Sequence, residues 1–166
     1  REGVGEVVEV GKHVQGVAIG LRAFVYHWRF CGVCQHCIAG HENLCVFDPL
    51  KRGRRDVGLL GSNIDGSYAE YMIAPKRCLV PVPDELAYED ACALGVAGST
   101  AWHMLIERAG LRVGETAVII GSGGGVGSAA VQVAKLAGAE VIATTGSPEK
   151  VQKARALGAD FVINYA

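Results

Sequence analysis

The sequence predicts an α/β protein, and three observations carry that prediction. Four of the six cysteines fall between positions 31 and 45. Glycines crowd positions 121, 123, 124, 125 and 127, directly after a short apolar run. From position 115 onward, β-branched runs alternate with helix-like stretches in the order β-α-β-α-β.

Bulk properties set the frame. With 166 residues, 50% of them hydrophobic and 20% charged, the chain is ordered and makes one ordinary domain or parts of two. A formal net charge of -1 gives no basic footprint for nucleic acid and no polybasic signal for a membrane surface. The longest uncharged run, 116–134, matches a bilayer span in length, but its glycines break it into strand, loop and helix. No signal-peptide pattern is present, so a reducing, cytoplasmic setting is expected, where cysteines serve metals or cores. Both ends read as cut: EGVGEVVEV (2–10) begins abruptly in strand-like sequence, and FVINYA stops where a third strand would finish. A segment of a longer chain is expected.

The cysteines form the pattern Cys31-x2-Cys34-x2-Cys37-x7-Cys45. Two-residue gaps turn successive thiolates toward one centre, and the longer return completes a tetrahedron. Four thiolates leave no open coordination position, so the implied Zn2+ is structural, with one per chain. Crowding would strain a local disulfide set. A ferredoxin-type run would bring its fourth cysteine after three residues, followed by proline. His36 and His41 lie inside the loop and read as solvent-facing, while Cys78 and Cys92 read as small buried hydrophobes.

Residues 116–120 are expected to form a strand buried on both faces. Residues 128–137 place Ala130, Val131, Val133, Ala134 and Ala137 along one helical side, with Gly138 as the stop. A second strand follows at 140–145. Ser147 caps a second helix that has Pro148 at its first position and Gly158 at its end. A third strand begins at 161–163. This order is the first half of a doubly wound, Rossmann-type dinucleotide-binding sheet.

The phosphate fingerprint reads Ser122-x-Gly124-x-x-Gly127, with serine where the first glycine usually stands. Gly124, Gly125 and Val126 would face a pyrophosphate at the helix N-terminus, and Gly127 lets the helix pack close to the strand. The end of the second strand selects the cofactor, because an NAD site carries an acidic residue there. Thr145 and Gly146 occupy that position, and neither is acidic. Ser147 and Lys150 follow, offering a hydroxyl and a cation to a 2′-phosphate. NADP(H) is therefore favoured over NAD(H), although Lys150 reads equally well as a solvated helix residue.

A closed four-cysteine lobe ahead of such a half-sheet resembles the medium-chain dehydrogenase/reductase superfamily, the zinc-containing alcohol dehydrogenases and their quinone-reductase relatives. EGVGEVVEVGKHV is similar to the strand and turn after that family's Gly-His-Glu motif, and CGVCQHCIAGHENLC is similar to its structural-zinc lobe. DGSYAEYMIAP (65–75) resembles the return into its GroES-like domain. LVPVPDELAYEDACALGVAGSTAWHML resembles the crossover into its cofactor domain. The resemblance implies a partial GroES-like catalytic domain over 1–90, with the zinc lobe at about 27–63. A crossover helix and the first half of an NAD(P)-binding Rossmann domain then occupy 91–166.

Departures from the family pattern narrow the implied chemistry. Arg1 stands where zinc alcohol dehydrogenases carry a ligand histidine, Val96 stands where they carry a ligand cysteine, and the usual Gly-Asp pair is Gly20-Leu21. Both visible catalytic-zinc positions are lost. The resemblance then points to hydride transfer to a quinone or α,β-unsaturated carbonyl without catalytic zinc. Thr100 is implied as a cofactor contact or as a helix-start hydroxyl bonded to backbone, and Tyr165 as a flank of the adenosine. No catalytic acid or base can be named. The alternatives are a zinc-dependent alcohol dehydrogenase with shifted ligands, Glu2 among them, and an inactive cofactor-binding fragment. Expected partners are a small carbonyl, quinone or alcohol and further copies in a dimer or tetramer, with neither nucleic acid nor membrane.

Overall fold

The computed structural model describes residues 1–46 and 57–166, so positions 47–56 of the predicted zinc lobe lie outside the described residues. The chain divides into two compact units, Arg1–Gly95 and Val96–Ala166.

The first unit holds β1 (Gly3–Glu6), β2 (Arg22–Val25), β3 (Trp28–Arg29), helix α1 (Gln35–Ile38), β4 (Gly58–Leu59), β5 (Leu79–Pro81) and helix α2 (Tyr88–Ala93). β1, β2 and β5 make an antiparallel sheet in the order β1-β2-β5, and β3 pairs with β4. The central strand is covered on both faces. Phe24 packs with Val82 and Ala91, while Val25 packs with Leu60 and Cys78. Arg22 opens this strand, and its guanidinium donates to the carbonyls of Pro83 (2.8 Å), Asp84 (2.6 Å) and Leu86 (2.7 Å). It also lies 4.4 Å from the Tyr88 ring centroid, so one cation pins the turn that leads into α2.

Two expectations for this unit are corrected. The strand-like stretch at 2–10 forms β1 only over Gly3–Glu6, and its main-chain bonding runs one residue further, where Val7 donates to the Leu21 carbonyl at 2.9 Å and accepts from the Gly20 N–H at 2.8 Å. Cys78 is fully buried, but Cys92 is only partly so, and its thiol donates to the Glu2 carbonyl at 3.4 Å.

In the second unit the helical chain is π-wound at His103–Arg108, after α3 (Ser99–Trp102). Then come β6 (Thr116–Ile119), α4 (Gly125–Leu136), β7 (Glu140–Thr145), α5 (Pro148–Ala156) and β8 (Phe161–Asn164). The strands are parallel in the order β6-β7-β8. Ala117, Ile119, Val141 and Ala143 meet Ala130, Val131 and Ala134 of α4 and Ala154 of α5 in one core. Both helices therefore lie on the same face, as right-handed crossovers running in one direction require.

Within this chain the strand expected to be buried on both faces is covered on one. Ala117 and Ile119 are each 7% exposed, but Val118 and Ile120 are 59% and 82% exposed. α4 also begins three residues earlier than the expected start at 128, with Gly124 as an extended N-cap. Glycine has a low helix propensity, and packing overrides it here. A Cβ at Gly127 would come within 2.4 Å of the Gly121 carbonyl oxygen and 2.8 Å of Ser122 Cα. Both predicted helix stops hold, with φ of +75° at Gly138 and +104° at Gly158. Ser147 caps α5 by accepting the Lys150 N–H at 3.3 Å.

Asp160 ties the sheet to α4. Its carboxylate accepts from Lys135 Nζ at 2.8 and 3.0 Å and from the Val141 N–H at 2.7 Å. The Lys135 bond, then the Val141 N–H, hold its carboxyl below the ordinary range. A depressed carboxyl contributes stability above its unfolded pKa and loses it as pH falls through the folded value. Asp160→Asn is therefore expected to lower stability at pH 7, with the gap to the parent closing below about pH 4 in urea titrations run across pH. Gly127→Ala is expected to cost about 1–3 kcal/mol by overpacking. Gly125→Ala, whose new Cβ would sit 3.7 Å from Ala97, should be neutral or slightly stabilising in the same assay.

Candidate functional site

The first candidate centre is the cysteine loop. Short helix α1 starts directly after Cys34 and carries Cys37, while the turn at Glu42–Leu44 returns Cys45. The thiol sulfurs of Cys31, Cys34, Cys37 and Cys45 all lie within 4.8 Å of one another. Cys34 and Cys37 sulfurs are 3.5 Å apart, and those of Cys31 and Cys37 are 3.8 Å apart. Four sulfurs at ~2.3 Å from a tetrahedral zinc stand about 3.8 Å from one another, so the donor set fits that ion.

Backbone N–H groups already point at these sulfurs. Val33 and Cys34 donate to Cys31 Sγ at 3.4 and 3.3 Å, and Cys31 donates to Cys45 Sγ at 3.4 Å. The Cys37 and Val46 amides hold the Cys34 thiol down to about 6, while burial pushes Cys37 up to about 12. His36 is half-buried and His41 exposed, and neither joins the four-sulfur group.

The second candidate centre is a cleft of about 180 Å³ at the C-terminal end of the parallel strands, lined by Gly121, Gly123, Gly124, Thr145, Gly146, Lys150 and Tyr165. This is where α/β sheets of this topology bind ligands. Gly121 N–H donates to Thr144 Oγ1 at 3.2 Å, and Ser122 N–H and Oγ donate to the Thr144 carbonyl at 2.9 and 3.0 Å. These bonds tie the glycine loop to β7. Thr145 is 1% exposed and its hydroxyl has no hydrogen-bond partner among the described residues, so the cleft contains a buried polar atom that a ligand could satisfy. Lys150 lies across Gly123, where a Cβ would meet its Cδ at 2.5 Å.

Of the candidate cofactor residues, the cleft brings together Gly124, Thr145, Gly146 and Lys150. Ser122 is buried with its hydroxyl spent on β7, and Ser147 is engaged as a helix cap. Gly125, Val126 and Gly127 form the first turn of α4, and Thr100 lies on α3, outside the lining. Gly121 and Gly123 line the cleft but fall outside the Ser122-x-Gly124-x-x-Gly127 frame, and the glycine run itself is the signal that points to them. In the first unit, His27 Nδ1 is buried without a partner among the described residues. Burial, then the Arg1 charge, lower its pKa, partly offset by Glu2.

Zinc binding needs deprotonated thiols, so acid competes with the metal. A single tightly held zinc is expected by elemental analysis, released progressively on acidification. Cys34→Ser should abolish stoichiometric zinc and the thiolate-to-cobalt absorption of a cobalt-substituted sample.

Comparison with known proteins follows this geometry. The alcohol dehydrogenase GroES-like domain family matches residues 1–84, and the zinc-binding dehydrogenase family matches residues 125–166. An alcohol dehydrogenase of Geobacillus stearothermophilus is 38% identical over 98% of this chain and 45% of its own length. A crystal structure of an NAD-dependent alcohol dehydrogenase superposes with a TM-score of 0.89 at 40% identity, over 99% of this chain and 45% of that one. An NADP-bound putative zinc-binding dehydrogenase from Sinorhizobium meliloti 1021 gives a TM-score of 0.80 at 32% identity, over 97% of this chain and 44% of that one. The chain thus spans less than half the length of these relatives. With a zinc-fitting thiol cluster in one unit and half a dinucleotide-binding sheet in the other, the chain belongs to the medium-chain dehydrogenase/reductase superfamily.

Proposed function

We propose that the complete protein is an NADPH-dependent oxidoreductase that reduces a quinone or α,β-unsaturated carbonyl without a catalytic zinc. The observation that carries this reading is the end of β7. Thr145 and Gly146 stand where an NAD-specific site has a carboxylate, and Lys150 lines the same cleft. When bound, the nicotinamide supplies a hydride to the electrophilic carbon of the acceptor.

The remaining roles fall to the chain. The Gly125 and Val126 N–H groups, at the positive end of α4, hold the pyrophosphate beside Gly124, whose own N–H is taken by the Gly121 carbonyl at 3.2 Å. The Thr145 hydroxyl gives its unmet hydrogen bond to the ribose or its phosphate. Lys150 neutralises the 2′-phosphate, with the Ser147 hydroxyl beside it, and Thr100 contacts the cofactor from α3. Arg1 is a permanent cation and Val96 is apolar, so neither serves as a zinc ligand, and the substrate must be electrophilic already. The cysteine loop holds a structural zinc, which goes with a reducing, cytoplasmic compartment, and a dimer or tetramer accompanies the reading. The names of the relatives favour a second reading, an alcohol dehydrogenase, which in this chain would need shifted zinc ligands with Glu2 among them.

Zinc content and cofactor titration of the complete protein separate these readings. One zinc per chain, NADPH bound about tenfold or more tighter than NADH, and turnover on quinones or enones are expected. Lys150→Ala should weaken NADPH by about tenfold, ~1.4 kcal/mol, and leave NADH within about twofold. Two zincs per chain with alcohol oxidation would establish the second reading, and binding without turnover on any of these substrates would mark an inactive cofactor-binding protein.

A further inference from the structure

We infer that the Nε2–H of His27, with the Arg1 cation nearby, holds the carbonyl oxygen of the acceptor, the role that a catalytic zinc would otherwise fill. The inference rests on the proposed zinc-free reduction and names the residues that polarise its acceptor.

Three observations place the pair, all within the first unit. His27 directly precedes β3, and its carbonyl accepts the Leu60 N–H at 2.9 Å. Its ring meets the Tyr26 ring edge-on, with centroids 5.0 Å apart, so both the backbone and the imidazole have fixed neighbours. Arg1 borders the same turn. A Cβ at Gly61, the residue after Leu60, would lie 3.5 Å from the Arg1 main-chain nitrogen and 3.9 Å from its Cγ. The two ring nitrogens of His27 then differ. Nδ1 is buried and has no hydrogen-bond partner among the described residues, while the residue as a whole is half-buried, which leaves Nε2 as the nitrogen open to a ligand.

Burial, then the Arg1 charge, lower the His27 pKa below its ordinary 6.5 against an opposing pull from Glu2, so the ring is neutral near pH 7 and carries one proton. A buried N–H without an acceptor is the costlier orphan, so the lone pair occupies the buried Nδ1 and the proton sits on Nε2. A neutral imidazole N–H beside a permanent cation is a donor set for an oxyanion. The acceptor, an α,β-unsaturated carbonyl, takes the hydride at its β-carbon. Its C=C pair shifts to the bond between α-carbon and carbonyl carbon, and its C=O pair moves onto oxygen, giving an enolate held by His27 and Arg1. Water supplies the proton that completes the α-carbon, and NADPH is oxidised to NADP+. His27 keeps its own proton, because a neutral imidazole is too weak an acid to release it to an enolate.

The test uses the complete zinc-loaded protein and its variants His27→Phe, His27→Gln and Arg1→Met, with zinc content and circular dichroism establishing that each is folded. His27→Phe removes a buried polar atom that lacks a partner, so its stability should match or exceed the parent's. Without cofactor, para-nitrophenolate serves as the enolate mimic, and its dissociation constant is read from the absorbance change on binding. His27→Phe and Arg1→Met are each expected to weaken it by about tenfold, and His27→Gln, which keeps a donor, by no more than about threefold. In NADPH-dependent reduction of an enone, kcat should fall by about a hundredfold in His27→Phe while NADPH affinity is unchanged. Nitrogen NMR of His27 should find its proton on Nε2. Equal phenolate binding by His27→Phe and the parent, or a proton on Nδ1, overturns the role of His27 alone. Phenolate binding that depends on His27 in a parent that turns over neither enones nor quinones supports the oxyanion site and overturns the proposed reduction.

Discussion

The second unit depends on one close approach, the passage of α4 over the Gly121 carbonyl at Gly127. No side chain fits between them, since even a Cβ would sit 2.4 Å from that oxygen. This contact sets the depth at which the helix N-terminus meets the end of β6, and hence where the glycine loop turns. The alanines of α4 extend the same economy of volume along the helix, so that Ala130 and Ala134 share one buried core with Ala117 and Ala143. Small residues on both surfaces bring the helix axis close to the sheet.

The first unit solves a different problem. Among the described residues its cysteine loop contains a four-residue helix and a single helical turn, with Val57 as the one fully buried aliphatic beside the sulfurs. A metal held by the four thiolates would add its binding free energy to the ordering of this loop. The sheet beside it is ordinary by comparison: β2 is buried on both faces and Arg22 anchors the exit toward α2. The two centres are therefore built on opposite principles, one from ligand convergence and the other from the absence of side chains.

The parallel sheet is covered on one face within this chain, which spans less than half the length of its relatives. A run such as TAVII reads as doubly buried, since parallel strands usually are. Residue alternation in a strand is fixed, but whether each face is covered depends on where the crossover helices land. Here both helices land on one face, and Val118, Ile120, Phe161 and Ile163 stay more than half exposed. The early start of α4 is a similar case, because glycine propensity argues for loop and packing decides for helix.

The sequence alone determined the elements whose chemistry is local: cysteine spacing that converges on one metal, Ser147-Pro148 opening a helix, glycines stopping two others, and the β-α-β-α-β order. Each of these is fixed by covalent geometry or backbone hydrogen bonding within a few residues. The tertiary structure decided which candidates share a cleft. Ser122 and Ser147 turned out to be spent on β7 and on a helix cap, Gly123 entered as the bed of Lys150, and Tyr165 came to lie across Gly146. Those relations join residues on different strands and loops. Only the register of the folded sheet brings them into contact.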